Sequence, residues 1–262
     1  MGHFVRSDGR TIIVAMDHGS FMGPLKGIDK PADIIEKMTK GGADAVILTS
    51  GLAEKVVDAI SGRLGLILRL DGIPTLISRP YLDKLEFYLM TRVKDAVILG
   101  ADAVIATFYI GSRREAENLA NISIIARECY EYGVPLIVEV FPVEPGGKDP
   151  KDPEILSVGT RTAYEIGADM IKTYYTGDPE SFRELVRRTG IPIVILGGPK
   201  RKSTAEVLKD VKNAISAGAA GIAFGRNIWQ YENPEAMVRA LVKIIHEDSS
   251  VEDALAVLGV RQ

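Results

Sequence analysis

The stretch Gly167-Ala168-Asp169-Met170-Ile171-Lys172-Thr173-Tyr174-Tyr175-Thr176-Gly177-Asp178-Pro179 decides the fold. It opens on a glycine-led turn, continues as a short apolar run, and ends on Asp-Pro, a pair that starts helices. One strand and the beginning of one helix therefore sit within thirteen residues. The turn recurs as Gly42-Ala43-Asp44, Gly100-Ala101-Asp102 and Gly218-Ala219-Ala220, each leading into another apolar run. Glycine there ends a helix and reverses the chain at low steric cost.

Working outward, eight such runs cover 11–16, 44–48, 64–70, 102–108, 135–140, the lysine strand, 192–196 and 221–224. They are continuous rather than alternating, as parallel strands covered on both faces are. Amphipathic segments of helical length lie between them, over 32–40, 113–132, 179–188, 204–217 and 234–245. In the second, Leu119, Ile122, Ile125, Ala126 and Cys129 form one stripe. Asp178-Pro179, Ser203 and Asn233-Pro234 mark helix starts. Eight strand–helix units without a composition break predict α/β architecture, a single closed (β/α)8 barrel over 1–262. A short segment precedes it at 1–10, and a C-terminal helix covers about 249–259. An open doubly wound sheet would carry a glycine-rich dinucleotide turn after its first strand, where this chain has Asp17-His18-Gly19-Ser20.

Composition narrows the function. The 262 residues are 46% hydrophobic and 26% charged, with a net charge of −3 and no run of lysine or arginine. That excludes a nucleic-acid surface of the usual kind, and no apolar stretch approaches the roughly 18 residues of a membrane span. The polar residues 1–10 lack the apolar core of a signal peptide. Cys129 is the single cysteine, so a reducing cytoplasm is the expected setting. Glutamine occurs only at Gln230 and Gln262 amid abundant Glu, Lys and Arg, a composition that fits a heat-adapted source.

Barrel enzymes carry their active groups at the C-terminal ends of the strands. Those ends here supply Asp17, His18, Tyr109, Glu139, Lys172, Tyr174, Lys200 and Arg226. A lysine inside an apolar strand either turns outward, forms an ion pair with a carboxylate such as Asp17, or reacts. A desolvated lysine beside a carboxylate forms Schiff bases with carbonyls, the carboxylate moving protons during dehydration. Asp17 is the carboxylate expected for that task. Gly197-Gly198-Pro199-Lys200 and Gly225-Arg226-Asn227 close the last two strands with small residues, free N–H groups and two cations, as a phosphate site would. A zinc site on histidines is not expected, because the three are dispersed. His3 lies in a terminus expected to be mobile and His246 near the end of a surface helix. His18 either orients Asp17 or meets substrate.

Five motifs together resemble the archaeal-type class I fructose-bisphosphate aldolases, with their aminodideoxyheptulosonate synthase and autoinducer-2 phosphate thiolase relatives. They are Ala15-Met16-Asp17-His18-Gly19 with Gly23-Pro24, Tyr109-Ile110-Gly111-Ser112, Ala168 to Tyr175, Gly197 to Lys200, and Gly225-Arg226-Asn227-Ile228-Trp229-Gln230. The resemblance implies that Lys172 forms the Schiff base, that Asp17 is the carboxylate of the first strand, and that Gly198, Lys200, Gly225 and Arg226 hold substrate phosphate. It further implies an aldehyde-lyase of sugar-phosphate metabolism with no cofactor and no metal. A ring-like homo-oligomer follows too, a decamer if the family pattern holds.

One position departs. The aldolases and heptulosonate synthases carry a tyrosine in Tyr-Pro-Arg-Gly after strand five, where this chain has Phe141-Pro142-Val143-Glu144. The thiolase also lacks that tyrosine. The acid/base must then be another group, such as Tyr109, Glu139, Glu144 or Tyr174. The expected activity is a metal-independent aldolase acting on a phosphorylated ketose through Lys172, with a Schiff-base thiolase or heptulosonate-type synthase as the alternative. A non-catalytic phospho-ligand sensor is the alternative of another class, though a sensor has no use for a reactive amine.

Overall fold

The computed structural model describes residues 3–78, 86–143 and 148–259. Within the strands, successive side chains alternate between two apolar groups, as the two-residue period of a strand requires. Ile12, Val14, Val46, Leu68, Val138 and Ile171 pack outward beneath the helices, while Ile13, Ile47, Ile67, Ile105, Ile137, Met170 and Val194 fill the inside. Both faces being buried, these strands read as unbroken apolar runs.

The strands are β1 (Thr11–Ala15), β2 (Ala45–Thr49), β3 (Gly65–Arg69), β4 (Ala103–Phe108), β5 (Leu136–Val140), β6 (Met170–Thr173), β7 (Ile193–Leu196) and β8 (Gly221–Phe224). Within the barrel all neighbours are parallel, and β8 pairs back onto β1 with Thr11 opposite Gly221, closing the expected (β/α)8 barrel, while Asp71–Gly72 and Tyr88–Leu89 form a separate antiparallel pair. At the glycine-led turns Gly42, Gly100, Gly167 and Gly218 all adopt positive φ. The aspartates that follow have a further role. Asp44 accepts from Ile12 N (2.7 Å), Asp102 from Leu66 N (2.8 Å) and Asp169 from Leu136 N (2.8 Å), so β2, β4 and β6 are each pinned to the preceding strand.

The expected helix starts are present: Asp178, Ser203 and Asn233 each accept from a backbone N–H of the first turn. Helices Pro31–Gly41, Glu115–Tyr132, Pro179–Thr189, Thr204–Ser216, Pro234–Ile245 and Val251–Val257 match the segments read from sequence. Helices outside those segments include Val93–Ile98 and Pro153–Ile166. The second buries Leu156, Gly159, Thr160 and Ala163, a face on which Gly and Thr take the place of large apolar residues. Asp152 caps it, and Gly159 lets it approach β5, because a Cβ there would lie 2.5 Å from Val140 Cγ1. Among the described residues no helix is long and apolar enough to cross a membrane.

The N-terminal segment is not the mobile arm its polarity suggested. Phe4 is buried in the interior group and closes the barrel beneath Ile13 and Ile47, with Thr11 donating to its carbonyl at 2.6 Å. His246 is half-buried with its side chain turned inward, its ring nitrogens 2.7 Å from Asp8 and 3.0 Å from Asp44.

Candidate active site

The interior alternation continues one step past the apolar layer, and there the residues turn polar. Two residues beyond Ala15, Ile67, Ile105, Ile137 and Met170 stand Asp17, Arg69, Thr107, Glu139 and Lys172. Strand register sets them side by side, with Thr107 opposite Glu139 and Glu139 opposite Lys172. All five line a cavity of about 730 Å³ at the C-terminal end of the barrel.

Arg69 is the centre of this layer. Its Nε donates to Asp17 Oδ2 (2.8 Å), its Nη1 to Thr107 Oγ1 (2.8 Å) and Asp71 Oδ1 (3.3 Å), and its Nη2 to Glu139 Oε2 (2.5 Å). The other Glu139 oxygen, Oε1, lies 2.8 Å from Lys172 Nζ. Lys172 is 5% exposed, so its amine reaches the cavity from a buried stem. The carboxylate at the lysine is therefore Glu139, and Asp17 is held by Arg69.

The electrostatics follow from that geometry. Burial alone would raise the Asp17 pKa, but Arg69, His18 and Lys172 outweigh it and hold the carboxyl well below the usual range. For Glu139 burial is again opposed, by Lys172 first and then Arg69, and its pKa is lowered. Asp71 goes the other way, because burial outweighs Arg69. Burial pushes the Tyr109 phenol well above its ordinary value and Tyr174 up to about 12, so both stay protonated at neutral pH.

Three aromatic rings form the wall on the β4–β6 side. Phe141 lies 6.5 Å from Tyr109 and 5.7 Å from Tyr174, and Tyr109 stacks on Phe87 at 5.9 Å. Tyr109 is anchored through its backbone, Tyr109 N donating to Asn118 Oδ1 at 2.8 Å while Asn118 Nδ2 donates to Thr107 O at 3.0 Å. Asn118 shares the buried stripe of its helix with Ile122, Ile125 and Cys129, whereas Leu119 and Ala126 are half-buried.

The opposite wall comes from the loops after β7 and β8. Gly197, Gly198, Pro199, Gly225 and Arg226 line the cavity. Asn227 ties the two loops together, donating to Gly197 O (2.8 Å) and accepting from Arg201 N (2.9 Å). Gly225 cannot bear a side chain, since a Cβ would lie 2.6 Å from His18 Cε1 and 2.8 Å from Ala15 O. Arg226 Nε is buried with no hydrogen-bond partner among the described residues, and burial lowers the pKa of its guanidinium. His18 packs edge-on against Trp229 at 5.5 Å with Nδ1 3.4 Å from Asp17 Oδ1, a contact without hydrogen-bond geometry.

Of the residues singled out from sequence, ten line the cavity: Asp17, His18, Tyr109, Glu139, Lys172, Tyr174, Gly197, Gly198, Gly225 and Arg226. Lys200 does not. Its ammonium turns away and donates to Gln230 O, so one of the two expected phosphate cations is absent from the wall. Glu144 lies outside the described residues. Arg69, Asp71 and Thr107 were missed, although a charge closing the apolar run 64–70 is the same signal that marked Lys172. Among the described residues no group of three or more His, Cys, Asp and Glu is arranged to hold a metal ion.

Comparison with known proteins agrees with this geometry. Residues 11–231 match the DeoC/LacD family aldolases. The chain is 37% identical over 257 residues to a class 1 fructose-bisphosphate aldolase of Thermoproteus tenax, covering 95% of this chain and 94% of that one. It is 34% identical over 256 residues to a 2-amino-3,7-dideoxy-D-threo-hept-6-ulosonate synthase of Halobacterium salinarum, covering 98% and 94%. Among solved structures, an archaeal fructose 1,6-bisphosphate aldolase superposes with a TM-score of 0.85 at 35% identity, over 93% of this chain and 96% of that one. Another such aldolase, with its catalytic lysine covalently bound to the carbinolamine intermediate, superposes with a TM-score of 0.84 at 35% identity, over the same shares. This chain belongs to the DeoC/LacD family of aldolases.

Proposed function

We propose that the protein is a metal-independent aldolase of a phosphorylated ketose, with Lys172 as the covalent residue. The observation that carries this reading is the buried Lys172 amine at the cavity, 2.8 Å from Glu139, with Arg226 on the facing wall. Glu139 takes a proton from the ammonium, and the neutral amine attacks the ketone carbon. The carbonyl oxygen collects two protons, one from the attacking nitrogen and one returned by Glu139, and leaves as water, giving an iminium on Nζ. Cleavage of the neighbouring carbon–carbon bond, as the adjacent hydroxyl loses its proton, releases an aldehyde and leaves an enamine. Protonation of the enamine carbon and addition of water return the shorter ketone and the free lysine. The iminium is the electron sink, so no step requires a metal ion. Arg226 and the N–H groups of the β7 and β8 loops supply the charge and donors a phosphate needs.

Borohydride reduction in the presence of dihydroxyacetone phosphate tests this. A ketone-derived mass increase on the peptide containing Lys172 is expected, and none in Lys172→Met. No adduct with dihydroxyacetone phosphate or any other ketose phosphate overturns the reading.

A second reading, a related carbon–carbon transferase or thiolase, is favoured by Phe141, whose ring occupies the cavity wall between Tyr109 and Tyr174. Under it Phe141→Tyr, which restores a phenol at that wall, raises cleavage of ketose phosphates. Acetyl transfer to coenzyme A by the unaltered enzyme distinguishes the thiolase.

A further inference from the structure

Arg69 spans the barrel interior in two directions from the end of β3. Across β2 its Nε donates to Asp17 at the end of β1 (2.8 Å), and across β4 its Nη2 donates to Glu139 on β5 (2.5 Å). The guanidinium is held in turn. Its Nη1 donates to Thr107 Oγ1 (2.8 Å) and Asp71 Oδ1 (3.3 Å), while the other Asp71 oxygen accepts from Thr107 N (3.0 Å). A planar fork engaged on all its edges fixes the carboxylates it touches more tightly than a point charge does.

Glu139 therefore sits between two cations, one oxygen on Arg69 and the other 2.8 Å from Lys172 Nζ. Lys172 faces it from β6, Arg69 and Asp71 from β3 and its end, and Asp17 from the end of β1. The phenols of Tyr109 and Tyr174 face it from the ends of β4 and β6. Burial would raise the Glu139 pKa, and Lys172 first, then Arg69, reverse that. Iminium formation moves two protons from the Lys172 nitrogen to the departing oxygen. The group that carries the ammonium proton must be ionised and turned toward Nζ when the ketone arrives. Arg69 serves both requirements through Glu139.

The structure assigns Arg69 as the positioning residue of Schiff-base formation: its guanidinium fixes Glu139 with one oxygen on the Lys172 amine and ties that carboxylate and Asp17 into one unit. This rests on Lys172 being the covalent residue. Glu139 Oε1 takes a proton from the Lys172 ammonium, and the neutral amine bonds to the ketone carbon. The carbon–oxygen bond then breaks as the nitrogen lone pair forms the iminium. The oxygen leaves as water with one proton from the attacking nitrogen and the one returned by Glu139.

The rate at which dihydroxyacetone phosphate and excess sodium cyanoborohydride label Lys172 is followed from about pH 4 to about pH 8, a range that spans ordinary carboxyl titration. Circular dichroism checks that each protein is folded at each pH. Arg69→Met should label about tenfold or more slowly near neutral pH. Its rate should fall away on the acid side about one pH unit or more above that of the unaltered protein. The half-saturating ketone concentration should be little changed. Arg69→Lys keeps the charge without the fork, so it should lose rate while the acid limb stays in place. Where Arg69→Met does not fold, the Arg69→Lys rate decides alone. Unchanged rates overturn the proposal. So does a slower Arg69→Met whose acid limb has not moved, the result a purely structural role would give. Absence of labelling in the unaltered enzyme removes the Schiff-base reading instead, and this proposal with it.

Discussion

Glu139 holds Lys172 at 2.8 Å with one carboxylate oxygen and accepts from Arg69 at 2.5 Å with the other. A carboxylate clasped this way has its position set by a rigid guanidinium and one lone-pair face turned to the amine. Replacing Glu139 by Gln keeps the shape and removes the proton acceptor. We expect kcat to fall about 100-fold or more, with borohydride still adding the ketone mass at Lys172. Full activity in the variant would assign the proton transfer elsewhere.

Arg69 donates to Asp17, Asp71 and Glu139 in a buried layer, so removing it leaves the buried Asp17 carboxylate without its guanidinium. Arg69→Met should cost about 3–5 kcal/mol at neutral pH, read from urea denaturation. The pH dependence has a definite sign. In the unaltered protein Asp17 and Glu139 have lowered pKa values. Their contribution to stability is complete above the unfolded carboxyl pKa of about 4 and is lost as pH falls through the lower folded values. Without the guanidinium, burial is less opposed and these pKa values move up, so the folded variant takes up protons more readily than the unaltered fold. The stability gap between the two proteins should therefore be widest near pH 7 and shrink toward pH 4.

Arg226 is half-buried at the cavity wall, with its Nε buried and unpartnered among the described residues. Arg226→Gln should raise the half-saturating dihydroxyacetone phosphate concentration for trapping about 10- to 100-fold, the loss expected for one charge-assisted contact. Trapping of unphosphorylated dihydroxyacetone should be unchanged. Equal effects on both ketones would place the phosphate elsewhere.

His246 closes the far end of the barrel from between Asp8 and Asp44, with Arg6 on Asp44 and Arg10 on the Ile245 carbonyl. Burial would lower its pKa, but its hydrogen bonds to Asp44 and Asp8 outweigh that and raise it. A raised histidine pKa stabilises fully below the unfolded value of about 6.5 and loses that contribution as pH rises through the folded value. The Tm of the unaltered protein should exceed that of His246→Gln at pH 6, and the difference should narrow by pH 9. A pH-independent difference would mean that the ring acts through packing alone.

The barrel was legible because its evidence is local. Glycine-led turns, doubly buried runs and caps such as Asp178 and Asn233 act within a few residues of themselves, and the strands fall within two residues of the positions read. Lys172 was legible for the same reason, as a charge where apolar side chains should be. The partners were not. Arg69 meets Asp17 across 52 residues and Glu139 across 70, and only closure of β8 onto β1 brings the strand ends into one ring. The sequence alone determined where the eight strands run and that charged and polar residues gather at their C-terminal ends. The tertiary structure decided which charges touch, pairing Lys172 with Glu139 rather than Asp17 and turning Lys200 toward Gln230. The physical reason is that side-chain direction follows from the strand's two-residue period, whereas pairing depends on register and reach across the closed barrel.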